Sequence, residues 1–446
     1  MKRIITVVLA VVMSLSIFAF ASCSKENEVV LRILHYRPED QDFFDWFHDE
    51  FTEEYPNVTI EYDAVSTQTY STVLQARMSA AESNPAEIDI FGIQSGSLVS
   101  EESVNRLHNL NDYTTLWDKI PQNIGEANSI DGKRMILPMS VNKEVVFYNK
   151  NMFTTLGLTP PTTWTDFIAV LDTLKASVGQ NYSVAGKSVP IKAPILFGGL
   201  ENWPISMVLD ALEATTIRQE YPDIYHDIVS SETDVDFNHP LFLEVIQKMQ
   251  VITKYFQPYS TGFTYALAPG EFSKGNYGLY IDGDWSLASI RYAEPEFEIG
   301  TFVLPGNENP EKNKYAATKL GGAALGIYSG SIKKDWAVTY LEMLMSDECY
   351  SEYLSITKMG SVKSNFVDGD VSLEDVKDSI PVVPFSSYSC NQSYNLRFAE
   401  VLSPDLINGT LSAQQVYEQL YTYVNSTNWR MSESIAQWER MYPRPE

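Results

Sequence analysis

VVLRILHYRPEDQDFFDWFHDEFTEEYPNVTIEY, residues 29–62, carries the pattern that decides the fold. Val29 to Leu34 is a β-branched and aliphatic run of the kind that forms a strand. From Asp40 to Tyr55, Phe43, Phe44, Phe47 and Phe51 recur at helical spacing, which predicts a helix with one aromatic face. Pro56-Asn57 ends that helix, and VTIEY (58–62) reads as a second strand. Leu74 to Glu82 reads as another helix, and IDIFGI (88–93) as a third short, buried strand. Alternating strands and helices of this kind predict an α/β chain with a parallel sheet and crossover helices. Ligands on such sheets collect at the carboxyl ends of the strands. Here those ends carry His35-Tyr36-Arg37 and Gln94-Ser95-Gly96.

Further along, YNKNMFTTLGLTPPTTWTDF (148–167) reads as local scaffolding. Val145 to Tyr148 is a strand, and the helical segment that starts at Asn149 stops at Gly157. Pro160-Pro161 holds the chain extended. Thr163 caps the next helix, with Asp166 at the capping-box spacing, and Trp164 is expected to pack inward. Pro240 to Phe256 is an amphipathic helix candidate. Tyr277 to Ile281 is a strand running into Gly283-Asp284-Trp285, Phe297 to Leu304 is a strand, and Lys333 to Met345 is a helix. The chain from Ser346 onward reads as mostly helical.

With 446 residues and 44% hydrophobic content, the chain can bury more than one core. Its formal charge of −26 disfavours a nucleic-acid partner, because phosphate backbones are repelled. Lys2 and Arg3 precede an apolar run from Ile4 to Phe20, and Phe20-Ala21-Ser22-Cys23 follows. Residues 1–22 therefore read as a secretory signal. Cys23 resembles the lipidated cysteine of bacterial lipoproteins, although Phe20 stands where leucine is usual. Residues 23–28 would be a short tether to the cell membrane. No later run is long and apolar enough to span a bilayer. Cys349 and Cys390 remain, and an extracytoplasmic setting permits a bridge without requiring one.

Several ordered pieces together carry a resemblance: FTEEYPNVTIEY (51–62), PAEIDIFG (85–92), VVFYNKNMFTTLGLTPPTTWTDF (145–167), FSKGNYGLYIDGDW (272–285), FEIGTFVLPG (297–306) and GGAALGIYSGSIKKDWAVTYLEML (321–344). In this order the chain resembles the extracellular solute-binding proteins of bacterial ABC importers, the carbohydrate group that includes the maltodextrin-binding proteins. That resemblance implies a two-lobed periplasmic-binding-protein-like fold closing on a solute. The lobes would combine residues 29–140 with 305–345, and 141–304 with 346–446, crossing near Pro138 to Asn142, near Leu304-Pro305 and around Met345. It also implies a monomeric receptor that captures a sugar and delivers it to a membrane permease. Residues 181–232 and 361–384 depart from the family pattern, which leaves the identity of the solute open.

A sugar offers an apolar face of C–H groups and a rim of hydroxyls, so its site needs aromatic plates and planar hydrogen-bonding groups. Trp285 stands where the family presents a stacking aromatic. Asp284 is either a hydroxyl acceptor or a helix cap. Asn202-Trp203 lies where relatives place a second contact. Tyr36, Arg37, Gln94 and Ser95 at the strand ends, Asn142 near the crossing, and Tyr388 and Tyr394 in SSYSCNQSYN complete the candidates. No cofactor and no metal is expected: Asp282-Gly283-Asp284 lacks a full oxygen set, and no C-x-x-C exists. Enzyme signatures are also missing. Five histidines form no H-E-x-x-H, GIQSG misplaces the serine of a nucleophile elbow, and GGAALG lacks the phosphate-loop lysine. A catalyst is therefore not expected. A solute sensor uncoupled from import and a surface glycan-degrading enzyme are the alternatives.

Overall fold

Residues 28–93, 105–130, 132–224, 227–228, 236–367, 369–382 and 397–426 are described by the computed structural model. Strand β1 (Val29–His35) pairs in parallel with β2 (Val58–Ala64) along its whole length, and on its other side with β3 (Ile90–Ile93). Helix α1 (Gln41–Glu54) connects β1 to β2 and ends immediately before Tyr55 and Pro56. Its four phenylalanines are fully buried. Phe43 meets Tyr353 edge-on at 5.1 Å between ring centroids, and Phe47 meets Tyr340 at 5.0 Å. Each such ring stabilises the fold by about 1.5–3 kcal/mol through burial. Helix α2 (Thr67–Ala81) begins well before the Leu74 expected from periodicity. Its first turns are too polar to show an apolar stripe, and a single buried anchor, Tyr70, donates its hydroxyl to the carbonyl of Gly92.

Strand β4 (Leu137–Asn149) is thirteen residues long and belongs to both lobes. Its second half runs into α3 (Lys150–Leu156) and α4 (Trp164–Ala176), where the local signals act as read. The Asn149 side chain accepts from the amide of Met152 at 2.9 Å, Gly157 closes α3 in the left-handed region at φ 66°, and Thr163 Oγ1 accepts from the Asp166 amide at 3.1 Å. Trp164 is half-buried against the second core, with the Lys248 ammonium 5.6 Å from its ring.

Strands β5 (Ala193–Leu196) and β6 (Tyr277–Gly283) are parallel neighbours, and β6 then pairs antiparallel with β4. Strand β7 (Ile299–Phe302) flanks β4 on its other side, also antiparallel. The chain returns along β8 (Tyr315–Ile327), which pairs with the first half of β4, with β3, and with the short β9 (Ile380–Val382). The resulting order is β2-β1-β3-β8-β4-β6-β5. Parallel pairing therefore holds at the βα crossovers, and antiparallel pairing where the two long strands pass between lobes. Two large hydrophobic cores lie along this sheet. One is built around Leu31, Phe43, Leu137, Tyr340 and Tyr350, the other around Val146, Leu171, Ile195, Leu279 and Phe398.

Two crossings differ from those expected. The resemblance implies a boundary at Leu304-Pro305, yet the segment after it stays on the second lobe. Thr216 Oγ1 donates to the Gly306 carbonyl at 3.2 Å, and Asn313 Nδ2 to the Thr162 carbonyl at 2.9 Å. The passage falls instead in β8, where the register against β4 slips between Lys319 and Gly322. Likewise Tyr350, Tyr353, Met359 and Val362, expected in the second lobe, pack in the first core with Phe43. The second core resumes only at Leu373, just after Asp370 receives a bidentate ion pair from Arg291 at 2.8 and 2.7 Å. Both boundaries were implied by the resemblance, and only packing decides which core the next element joins.

Candidate functional site

Between the lobes, the crossing of β4 and β8 is held by side chains from distant parts of the chain. Asn142 Nδ2 donates to Asp284 Oδ1 at 2.8 Å, the Lys143 amide donates to Asp284 Oδ2 at 3.1 Å, and Asn142 Oδ1 accepts from Ser140 Oγ at 2.9 Å. Asn142 and Asp284 are both buried. Gly322 makes room for this: a Cβ there would sit 1.2 Å from Asn142 Oδ1. Two residues named as sugar contacts are thus bonded to each other beneath the interlobe seam, and the hinge strand takes up the carboxylate of Asp284.

The carboxyl ends of β5 and β6 carry the two tryptophans. After β5, a Cβ on Gly198 would lie 2.7 Å from the Cα of Tyr265, so only glycine permits the close passage of these two loops. Asn202 occupies the left-handed region at φ 62°, which asparagine tolerates better than most residues. It presents Trp203, whose ring meets Tyr265 edge-on at 4.5 Å. At the end of β6, Gly283 lets the indole of Trp285 lie across the backbone, since a Cβ would be 2.1 Å from that ring. Trp285 Nε1 donates to the Tyr265 hydroxyl at 2.8 Å. Although rooted in the second lobe, half-buried Trp285 packs against the first core. It therefore stands in the gap between the lobes.

Beneath these rings lies Asp282, fully buried. It accepts from Ser286 Oγ at 2.6 Å, from the Gly283 amide at 2.8 Å, from the Tyr265 hydroxyl at 3.1 Å and from the Tyr280 hydroxyl. Burial pushes its pKa up to about 6 despite these donors. The raised folded-state value means that Asp282 favours the fold below its ordinary 3.8 and that this contribution is lost as pH rises through about 6. The advantage of wild type over Asp282→Asn in urea denaturation should therefore be larger at pH 4.5 than at pH 7, by on the order of 1–3 kcal/mol. An advantage equal at both pH values would show that Asp282 does not titrate in this window.

On the first lobe, Tyr36 stacks on His35 at 5.0 Å and meets Tyr70 edge-on at 5.4 Å. Burial raises the Tyr36 phenol to about 12 and lowers His35 to about 3, so both are neutral. Arg37 is buried and committed to acids next to it: Nε and Nη2 reach Asp40 at 2.7 and 3.1 Å, and Nη1 reaches Glu39 at 3.2 Å. Gln94, Ser95, Tyr388, Tyr394, Cys23 and Cys390 lie outside the described residues; Cys349 is buried. The structure thus gathers Trp203 and Trp285 around one tyrosine and ties Asn142 to Asp284, while Arg37 is engaged locally. Sequence reasoning missed Tyr265 and Glu201, and considered Asp282 only as a metal ligand. An aromatic in the loop FTYA (263–266) was the available signal, but nothing local links it to residues 203 and 285.

The chain is a two-lobed α/β protein in which two tryptophans on strand-end loops share Tyr265 and one of them, Trp285, packs against the first core from the second lobe. The chain belongs to the bacterial extracellular solute-binding protein family, whose model matches residues 46–378. It is similar to an uncharacterized ABC transporter extracellular-binding protein of Pyrococcus horikoshii, 25% identical over 57% of this chain and 56% of that one. It is also similar to the multiple sugar-binding protein of Streptococcus mutans (21%, 65% of each chain). The diacetylchitobiose binding protein DasA of Streptomyces coelicolor is 26% identical, with 62% of this chain and 60% of that one covered. The matched stretches thus span between half and two thirds of these relatives. The same fold is seen in the solute-binding protein RafE in complex with raffinose, at 18% identity and TM-score 0.71 over 90% of this chain and 100% of that one. A chitin oligosaccharide binding protein matches at 19% identity and TM-score 0.71, over 90% and 99%.

Proposed function

We propose that this protein is a lipid-anchored extracytoplasmic receptor that holds a carbohydrate between its lobes and hands it to the transmembrane permease of an ABC importer. The observation that carries the reading is the pair Trp203 and Trp285, set around Tyr265 on two strand-end loops, with Trp285 touching both lobes. Rings so held offer flat apolar faces to sugar C–H groups, and the surrounding amides and hydroxyls offer partners to the rim. The relatives from Streptococcus mutans and Streptomyces coelicolor, a multiple sugar-binding protein and a diacetylchitobiose binding protein, agree with a sugar. Solute favours the closed state because only there is it contacted from both lobes. No bond is made or broken: the buried carboxylates Asp282 and Asp284 are occupied by protein donors and act as supports. Trp285, Trp203, Asn202, Tyr36 and, in the segment following β3, Gln94 and Ser95 are the proposed contacts, with Asn142 and Asp284 holding the seam and Cys23 carrying the anchor.

A thermal-shift screen of the mature chain with raffinose, stachyose, chitin oligosaccharides, xylo-oligosaccharides and malto-oligosaccharides tests this. At a hundredfold excess over Kd, a binding glycan stabilises the fold by about 2.7 kcal/mol, visible as a rise of several degrees. A shift produced by polyamines or peptides and by no glycan would replace the carbohydrate with another solute class.

A further inference from the structure

We propose that Tyr265 is a positioning residue: its hydroxyl fixes the indole of Trp285 and its ring fixes Trp203, so that both plates meet the solute in one orientation. This rests on the carbohydrate reading above. Tyr265 opens a short helical turn, Tyr265–Leu267, and its amide donates to Glu201 Oε2 at 2.9 Å, two residues before Trp203. With the close approach that Gly198 allows, the Trp203 loop and the Tyr265 turn form one unit. The hydroxyl is the buried end of the side chain, and burial raises its pKa well above the ordinary value.

That hydroxyl has three neighbours: Trp285 Nε1 at 2.8 Å, Asp282 Oδ1 at 3.1 Å and Ser286 Oγ at 3.2 Å. An indole N–H can only donate, so the phenol oxygen accepts from Trp285. Ser286 gives its own proton to Asp282 Oδ2 at 2.6 Å, which leaves Asp282 Oδ1 as the acceptor for the phenol proton. The bonds then run in one direction, from Trp285 through Tyr265 to Asp282. A core tyrosine needs one partner; this one joins β6, the turn after it and the indole. The ring of Trp285 is also pressed onto the backbone of Gly283. Contact at its face and a hydrogen bond at its edge leave the indole little freedom, and a plate fixed before binding loses less entropy when the solute arrives.

The first arm of the test needs no solute. In a 15N spectrum of the ligand-free protein, Trp285→Phe identifies one indole N–H among those of eight tryptophans. Tyr265→Phe keeps the ring against Trp203 and deletes only the hydroxyl. It should move that one resonance and speed its exchange with solvent about three- to tenfold, as loss of one hydrogen bond requires. An unmoved, equally protected resonance overturns the proposal. The second arm uses stachyose, or whichever glycan of the screen shifts melting most. Tyr265→Phe should weaken binding about three- to tenfold in wild type and less than about twofold in a Trp285→Ala background. Equal losses in both backgrounds would mean that the hydroxyl touches the solute itself, which also overturns it. If no glycan binds, the carbohydrate reading fails while the indole arm still decides the role of Tyr265.

Discussion

Trp285→Ala is expected to weaken solute binding by about 2 kcal/mol or more, roughly thirtyfold, the largest binding loss of any single change in the site. The ring stands between the lobes, packs against the first core from a second-lobe turn, and is held at its edge by Tyr265. Alanine removes both the apolar plate and the contact that closure completes. Titration calorimetry with the best glycan of the screen, on protein shown to be folded by circular dichroism, measures the loss. Intrinsic fluorescence of the wild type should also change on binding. Trp285→Phe should retain part of the affinity, since it keeps one aromatic ring while losing the pyrrole ring and its N–H bond. Unchanged affinity in the alanine variant would remove Trp285 from the site and with it the main support for a stacked sugar.

Lys333→Met should destabilise the first lobe by about 3–5 kcal/mol. Asp89 is wholly buried behind β3, where it accepts from the Lys333 ammonium at 2.6 Å, from Ser331 Oγ at 2.6 Å and from the Arg32 amide at 2.8 Å. The same ammonium reaches the Val30 carbonyl. Thus β1, β3 and the turn after β8 converge on one carboxylate. Methionine fills the lysine stem's volume but leaves the charge behind it uncompensated in a dry site. The double variant Asp89→Asn with Lys333→Met should recover part of the loss, because removing both charges costs less than stranding one. Urea denaturation of the three proteins decides. A single-variant loss below about 1 kcal/mol would mean that the pair is not thermodynamically coupled.

Candidate contacts could be named from the sequence where a residue's setting follows from its neighbours or from the resemblance. Trp285, after a strand and a Gly-Asp pair, and Trp203, after Gly198-Gly199, were named because the family resemblance implies contacts there, whereas Tyr36 and Arg37 were named for their place at a strand end. For Arg37, however, Asp40 and Glu39 sit close enough in sequence to claim the guanidinium. That was foreseeable from spacing and was outweighed by its place at a strand end. Asp284 and Asn142 were each named, but not as partners. They lie 142 positions apart, and no periodicity reports a bond of that span. Tyr265 went unnoticed for the same reason: its three roles involve Glu201, Asp282 and Trp285, all brought to it by folding.

Local order determined a good deal. The aromatic stripe of α1, the strands around it, the cap at Thr163 and the stop at Gly157 are consequences of side-chain spacing and backbone freedom over a few residues, so the chain states them directly. Which lobe each late element joins was settled only in three dimensions, as residues 305–314 and 346–362 show. So was the use made of buried Asp282 and Tyr265. Core membership and hydrogen-bond partnership depend on which surfaces remain to be buried once the long strands β4 and β8 have crossed, and that is a property of the whole packed molecule.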